Sequence, residues 1–451
     1  RAVPARERFK VLECLRRPLF ALSTEARRRY EYKPLPLSDN AAATLAAVRE
    51  LWRALAVGYW HCLAAALAGK DGFARHGLSA AHRMLTALRQ EQLHGDLARH
   101  ALAEGFWALA AVALDGAGPQ QREWVEDRLL SEPSKSTPFG QYAMLHLLVL
   151  AKPAALTRAQ FAAVTRWLAR WREQAEDGGA GQALRLDKVL RKIRKRREAL
   201  AEGAAPEELK LGDTLSAPAC DELLAVLGER LLQPGDAPLS GDAQMTPVAV
   251  VCGLDNIFHR LGGYGLLDDW QATTTSLVSR LRQERQAEVW RGEAPAGEAP
   301  AVPHETWQLV MSGNERAHLY RPAASSARLS LRSLLAVEVV SGAHPAMLEI
   351  EALAAHDDGR VRIEGRFLPG RAQPLLAAMC DRANGRETRH PAFGLQTVAG
   401  GDPARALLPA GLAPRAARLK LLDLSLRPAP YSLAECVGRG DEFEMWRLSP
   451  E

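Results

Sequence analysis

The chain has 451 residues, 47% of them hydrophobic and 25% charged, which suits two or three packed domains and excludes wholesale disorder. Its 58 basic against 53 acidic residues leave a formal charge of +5, too little to imply a nucleic-acid partner without a local basic patch. Six scattered cysteines (Cys14, Cys62, Cys220, Cys252, Cys380, Cys436) form no CxxC pair, which argues for a reducing compartment and against a zinc or disulfide frame.

Residues 9–235 read as helix. In "ATLAAVRELWRALAVGYWHCLAAAL", Leu45, Val48, Leu51, Trp52 and Leu55 recur at three- and four-residue steps, the period of an amphipathic helix. Asp39-Asn40 offers a capping side chain ahead of it. "SAAHRMLTALRQEQL", "TPFGQYAMLHLLVLA" and "TRAQFAAVTRWLARW" repeat the pattern, with Gly and Pro between them. No fixed-period repeat is present, so the expectation is an irregular helical bundle or degenerate solenoid. The longest apolar runs fall short of the roughly 20 residues a membrane-spanning helix needs. With no signal peptide visible, a cytoplasmic location is expected.

Near Met245 the grammar changes. "PVAVVCGL" reads as a strand and "LDNIFHRLGG" as a short helix, and 292–305 is a Gly/Ala/Pro/Glu linker. Alternating runs follow, from "WQLVMS" and "RAHLYR" to "RLKLLDL" and "FEMWRL", with Asp357-Asp358-Gly359 as a hairpin turn. The expected fold class is α+β and multidomain. Residues 1–235 form an all-α interaction domain, 236–305 a mixed α/β connector and linker, and 306–451 a β-barrel domain.

Catalytic signatures are missing. There is no Walker A, GxGxxG, GxSxG or HExxH, and His61, His76, His82, His94 and His100 have no metal-ligand spacing. Binding rather than catalysis is expected, with no cofactor or metal. The run "RLDKVLRKIRKRREAL" places eight cations between Arg185 and Arg197. Such a helix is commonly a solvated face, or else meets a phosphate-bearing partner or an anionic membrane surface peripherally.

The β half resembles the PilZ-type barrel of bacterial cyclic di-GMP receptors. "WQLVMSG" stands as first strand and turn, "RVRIEGRFLPGRAQPL" as a β-ribbon, and "LLPAGL" with "DEFEMWRL" as the closing strands. The resemblance implies an RxxxR pair before the first strand and [DN]xSxxG at its end, with guanidinium groups gripping phosphates and a strand-end glycine admitting the nucleotide. Here Ser312 stands for the motif serine, Val310 replaces the Asp/Asn, and Glu315 occupies the glycine position. Arg280, Arg282, Arg285 and Arg291 precede the strand with no two separated by four, and Arg328–Arg332 and Arg362–Arg366 follow it. The implied ligand is cyclic di-GMP, and the implied ligand residues are Arg280, Arg282, Arg285, Arg291, Ser312 and Asn314. The protein would be a signalling effector whose helical region docks a protein partner; the alternative is a ligand-free adaptor.

Overall fold

Helix α2 (Asp39–Leu67) lays Leu45, Val48, Trp52, Leu55, Tyr59 and Cys62 along one buried stripe, the face its sequence period predicts except for Leu51, which is exposed because it falls one residue off the stripe. Ser38, and not Asp39 or Asn40, occupies its N-cap position. The computed structural model describes residues 3–128, 134–178, 184–232, 245–263 and 304–450, apart from 314, 324, 326, 339–343, 384, 386 and 397–403. The chain divides into two compact units, one of 1–243 with Ala354–Asp358, the other of 244–353 with 359–451.

In the helical unit, α1 (Ala5–Ala26) packs on α2, and α2 packs on α3 (Gly77–Leu97), which also meets α4 (Phe106–Ala117) and α5 (Pro138–Leu150). Trp52, Tyr59, Leu85, Leu88, Phe106 and Leu145 form the core of this bundle. A second core gathers Phe139, Trp167, Trp171, Val189, Ile193 and Leu224 from α5, α6 (Arg158–Trp171), α7 (Asp187–Ala201) and α8 (Ala217–Leu232). Local chemistry sets the starts of the middle helices. Thr137 accepts the Gly140 amide at 2.8 Å ahead of Pro138, and Thr157 with Gln160 makes a reciprocal capping box.

The helical period does not hold throughout this unit. Val125–Asp127 (β1) and Ser134–Ser136 (β2) form a two-stranded antiparallel ribbon inside the span read as helix. Its reason is polar. Helix α3 is buried almost all round, including His82, Arg83, Gln90 and Glu91, and buried polar groups require partners. The ribbon supplies Asp127 and Ser136 to them.

The second unit opens with β3 (Thr246–Cys252) and α9 (Leu254–Phe258). It continues with β4 (Glu305–Ser312), β5 (Arg316–Arg321), β6 (Leu334–Glu338), β7 (Ala346–Ala355) and β8 (Val361–Phe367). These strands close into a six-stranded barrel in the order β3-β4-β5-β8-β7-β6. Thus the "PVAVV" strand, in the span read as connector, is a stave of the barrel. Paired on both sides, by β4 and β6, it removes the two edges a five-stranded sheet would leave. Beyond it the chain makes a second sheet rather than more of the same barrel. β9 (Arg371–Asp381), β10 (Glu387–Gln396), β11 (Arg405–Pro409), β12 (Ala416–Leu422), β13 (Tyr431–Arg439) and β14 (Phe443–Pro450) lie in the order β12-β9-β10-β11-β14-β13. Val251, Phe258, Leu334 and Met347 share one core with Leu376, Phe393, Leu407 and Phe443, so barrel and sheet are packed together. The "LLPAG" and "EFEMWRL" runs do pair, Leu407 opposite Met445, but in the second sheet.

Candidate ligand site on the barrel

The alternation in "WQLVMS" buries Trp307 and Leu309 and leaves Ser312 exposed where β4 ends. Gly313, at φ +84°, takes the turn because a side chain is strained there, and the chain returns with Arg316 opposite Ser312. Arg316 in turn lies opposite Arg366 on β8. Directly opposed residues of antiparallel strands project to one face. Ser312, Arg316 and Arg366 therefore form one row across three strands.

Two carboxylates of β7 stand over this row. Arg366 reaches Glu349 at 3.5 Å and Glu351 at 3.4 Å, Arg316 reaches Glu351 at 3.3 Å, and Arg332 reaches Glu349 at 3.5 Å. Glu349 is buried, whereas the three guanidinium groups are about half exposed or more. The half-exposed guanidinium groups carry N–H donors of the kind that grip phosphate oxygens.

Of the residues singled out in the sequence, Ser312 is at this row. Arg280, Arg282, Arg285, Arg291 and Asn314 lie outside the described residues. Arg366 belongs to the Arg362–Arg366 pair, which follows the first strand in sequence yet sits two strands from Ser312 in space. Arg332, from the Arg328–Arg332 pair, converges on the same Glu349. Arg362 is bound to Glu364 on its own strand. Chain order hid this grouping because β8 inserts next to β5 in the barrel.

A second match to the strand-end pattern was legible and missed. Asp423-Leu424-Ser425-Leu426-Arg427-Pro428 has the Asp and Ser of [DN]xSxxG, with Pro428 at the glycine position. It forms the turn after β12. The Asp423 carboxylate accepts the Ser425 and Arg427 amides at 2.8 and 2.9 Å, leaving residues 424–428 exposed. The signal was the pattern itself, applied to strands later than the first.

Inside the barrel, Arg321 is fully buried and donates through Nη2 to the carbonyls of Ser325 and Ala327. Glu305 accepts from Trp307 Nε1 at 2.8 Å and from the Ala327 amide at 3.2 Å. Burial would raise its carboxyl, but the hydrogen bonds from Ser325, Trp307 and Ala327 hold it below the usual value. This pair anchors the segment after β5 and presents no open donor to solvent. All six cysteines are free. Among the described residues no His/Cys/Asp/Glu group is placed to hold a metal, and no helix is long and apolar enough to cross a membrane.

A mainly helical unit followed by a closed six-stranded barrel and a companion sheet defines an α+β protein of the kind the PilZ-type resemblance implies. Residues 1–176 match the family model for the N-terminal domain of the cyclic-di-GMP receptor FimW. That likeness lies in the helical half, independent of the strand patterns that carry the resemblance in the β half. No curated protein and no solved structure matches the chain.

Proposed function

We propose that this protein is a cyclic di-GMP-binding effector, acting in the cytoplasm by binding rather than by turnover, whose helical unit docks a protein partner. The observation that carries this reading is the match of residues 1–176 to the N-terminal domain of a cyclic-di-GMP receptor. The row of Ser312, Arg316 and Arg366 supports it, because two guanidinium groups beside a hydroxyl suit a phosphodiester. Arg280, Arg282, Arg285, Arg291 and Asn314, just before or beside the first hairpin in sequence, are proposed to complete the grip.

A ligand-free adaptor is the second reading, and one observation favours it. Glu349 and Glu351 already pair with the arginines of the row, so a phosphate has to compete with them. Calorimetry of the full chain against cyclic di-GMP decides between the two. Saturable binding below about 50 μM that Arg366→Ala or Arg282→Ala weakens supports the effector. Absence of heat at that concentration supports the adaptor.

A further inference from the structure

The helical unit has a concave site of its own, where α1, α3 and the β1–β2 ribbon come together. Its volume is about 400 Å³, and every residue that lines it is charged: Glu13, Arg16, Arg17, Arg83, Glu126 and Arg128. The size is that of a small-molecule site. An apolar ligand would strip water from these groups without replacing it.

The four arginines divide into two kinds. Arg16 and Arg83 are 5% and 8% exposed and held in place. Arg16 Nη2 spans both Asp127 oxygens at 2.8 and 2.9 Å, and Arg83 Nη2 donates to the Glu126 carbonyl at 2.8 Å. Their contacts to Glu13 are longer, 3.3 to 3.4 Å. Arg17 is exposed, and among the described residues no carboxylate lies within ion-pair reach of it. The Arg128 side chain is 80% exposed and pairs with Glu126, itself 41% exposed, in a surface contact that water and salt screen. Two guanidinium groups fixed by burial, one unpaired and one loosely paired, offer N–H donors to an anion with several acceptor oxygens. A cation fits less well, because Glu13 already accepts from Tyr59, Arg16 and Arg83, and Glu126 from Arg128.

We propose that this arginine-lined pocket binds a small phosphorylated molecule, up to a nucleoside monophosphate in size, with Arg17 and Arg128 gripping the phosphate beside the fixed Arg16 and Arg83. Glu126 competes with the phosphate for Arg128 and so tunes the affinity. The site goes beyond the proposed function and is independent of the barrel row.

The test is calorimetry of the full chain, in low-salt buffer, against inorganic phosphate and against adenosine monophosphate. Saturable binding below about 1 mM is expected for at least one of them. Tighter binding of the nucleotide assigns the rest of the cavity to its nucleoside, and equal affinities assign the site to the phosphate group alone. Arg17→Ala and Arg128→Ala should each weaken binding about tenfold or more, the loss expected for a charge-assisted contact, and Arg17→Lys should weaken it less. Both arginines are exposed, so the thermal midpoint should stay with the wild-type chain. Glu126→Gln, which frees Arg128, should tighten binding severalfold, a gain that a merely structural carboxylate would not produce. The proposal fails if neither ligand gives saturable heat up to about 5 mM, or if Arg17→Ala and Glu126→Gln both leave the affinity unchanged. It also fails if Arg366→Ala, rather than Arg17→Ala, abolishes the heat, which would place the anion at the barrel row.

Discussion

Arg16 Nη2 lies 2.8 and 2.9 Å from the two carboxylate oxygens of Asp127, with both side chains buried between α1 and the β1–β2 ribbon. Arg83 adds a longer contact to Asp127 at 3.5 Å and reaches Glu13 at 3.3 Å. Burial alone would raise the Asp127 carboxyl, but Arg83 and Arg16 outweigh it and hold it below the usual range. Removing one partner strands a buried charge, so Asp127→Ala should cost about 3–5 kcal/mol. Urea unfolding of the helical signal measures it, and Arg16→Met combined with Asp127→Leu should recover much of the loss.

His82 sits in the same cluster with its tautomer fixed. Arg83 Nη1 donates to Nδ1 at 3.0 Å, so Nε2 carries the proton and donates to Ser136 Oγ at 2.7 Å. Burial, aided by Arg83, pushes the imidazole from 6.5 down to about 3. Because the folded value is depressed, the stability His82 contributes is full above about pH 6.5 and is lost as pH falls toward about 3. Asp96, whose carboxyl burial raises well above its ordinary value, acts in the opposite direction. The urea midpoint should fall as pH is lowered from 6.5, and His82→Gln should flatten that slope. An unchanged slope would exclude His82 as its source.

Gly365 lies inside the barrel opposite Ala317, where a Cβ would overlap the Leu348 side chain and come within 3.0 Å of the Glu349 carbonyl. Backbone cannot yield as a side-chain tip can. Gly365→Val should therefore destabilise the β unit by about 1–3 kcal/mol or more. Trypsin susceptibility of the β unit should rise while the helical unit stays resistant.

If the barrel row binds nucleotide, Arg366→Ala should cost about 1.5–3 kcal/mol of binding and Ser312→Ala about 0.5–1.5 kcal/mol. Calorimetric affinities in the opposite order would remove Arg366 from the site.

Along α7, Arg194→Gln and Lys195→Gln should leave stability within about 0.5 kcal/mol, as exposed substitutions do. Arg196 differs, because its guanidinium lies 5.1 Å from the centre of the Trp171 ring. Arg196→Gln should cost about 0.5–1 kcal/mol more, read as a lower thermal midpoint.

What the sequence determined by itself was periodic. Leu45 to Leu55 specified a helix face, Trp307 and Leu309 a strand face, and Gly313 a turn, because each depends on neighbours within a few residues. Even the Asp423–Ser425 turn was written locally. Only the tertiary structure decided that β3 closes the barrel with β4 and β6, that a second sheet follows, and that Arg366 stands beside Arg316 and Ser312. It also decided that a β1–β2 ribbon would break the helical run to bring Asp127 to Arg16. Strand order and buried charge pairing join residues up to 111 positions apart, and no local period encodes a partner at that distance.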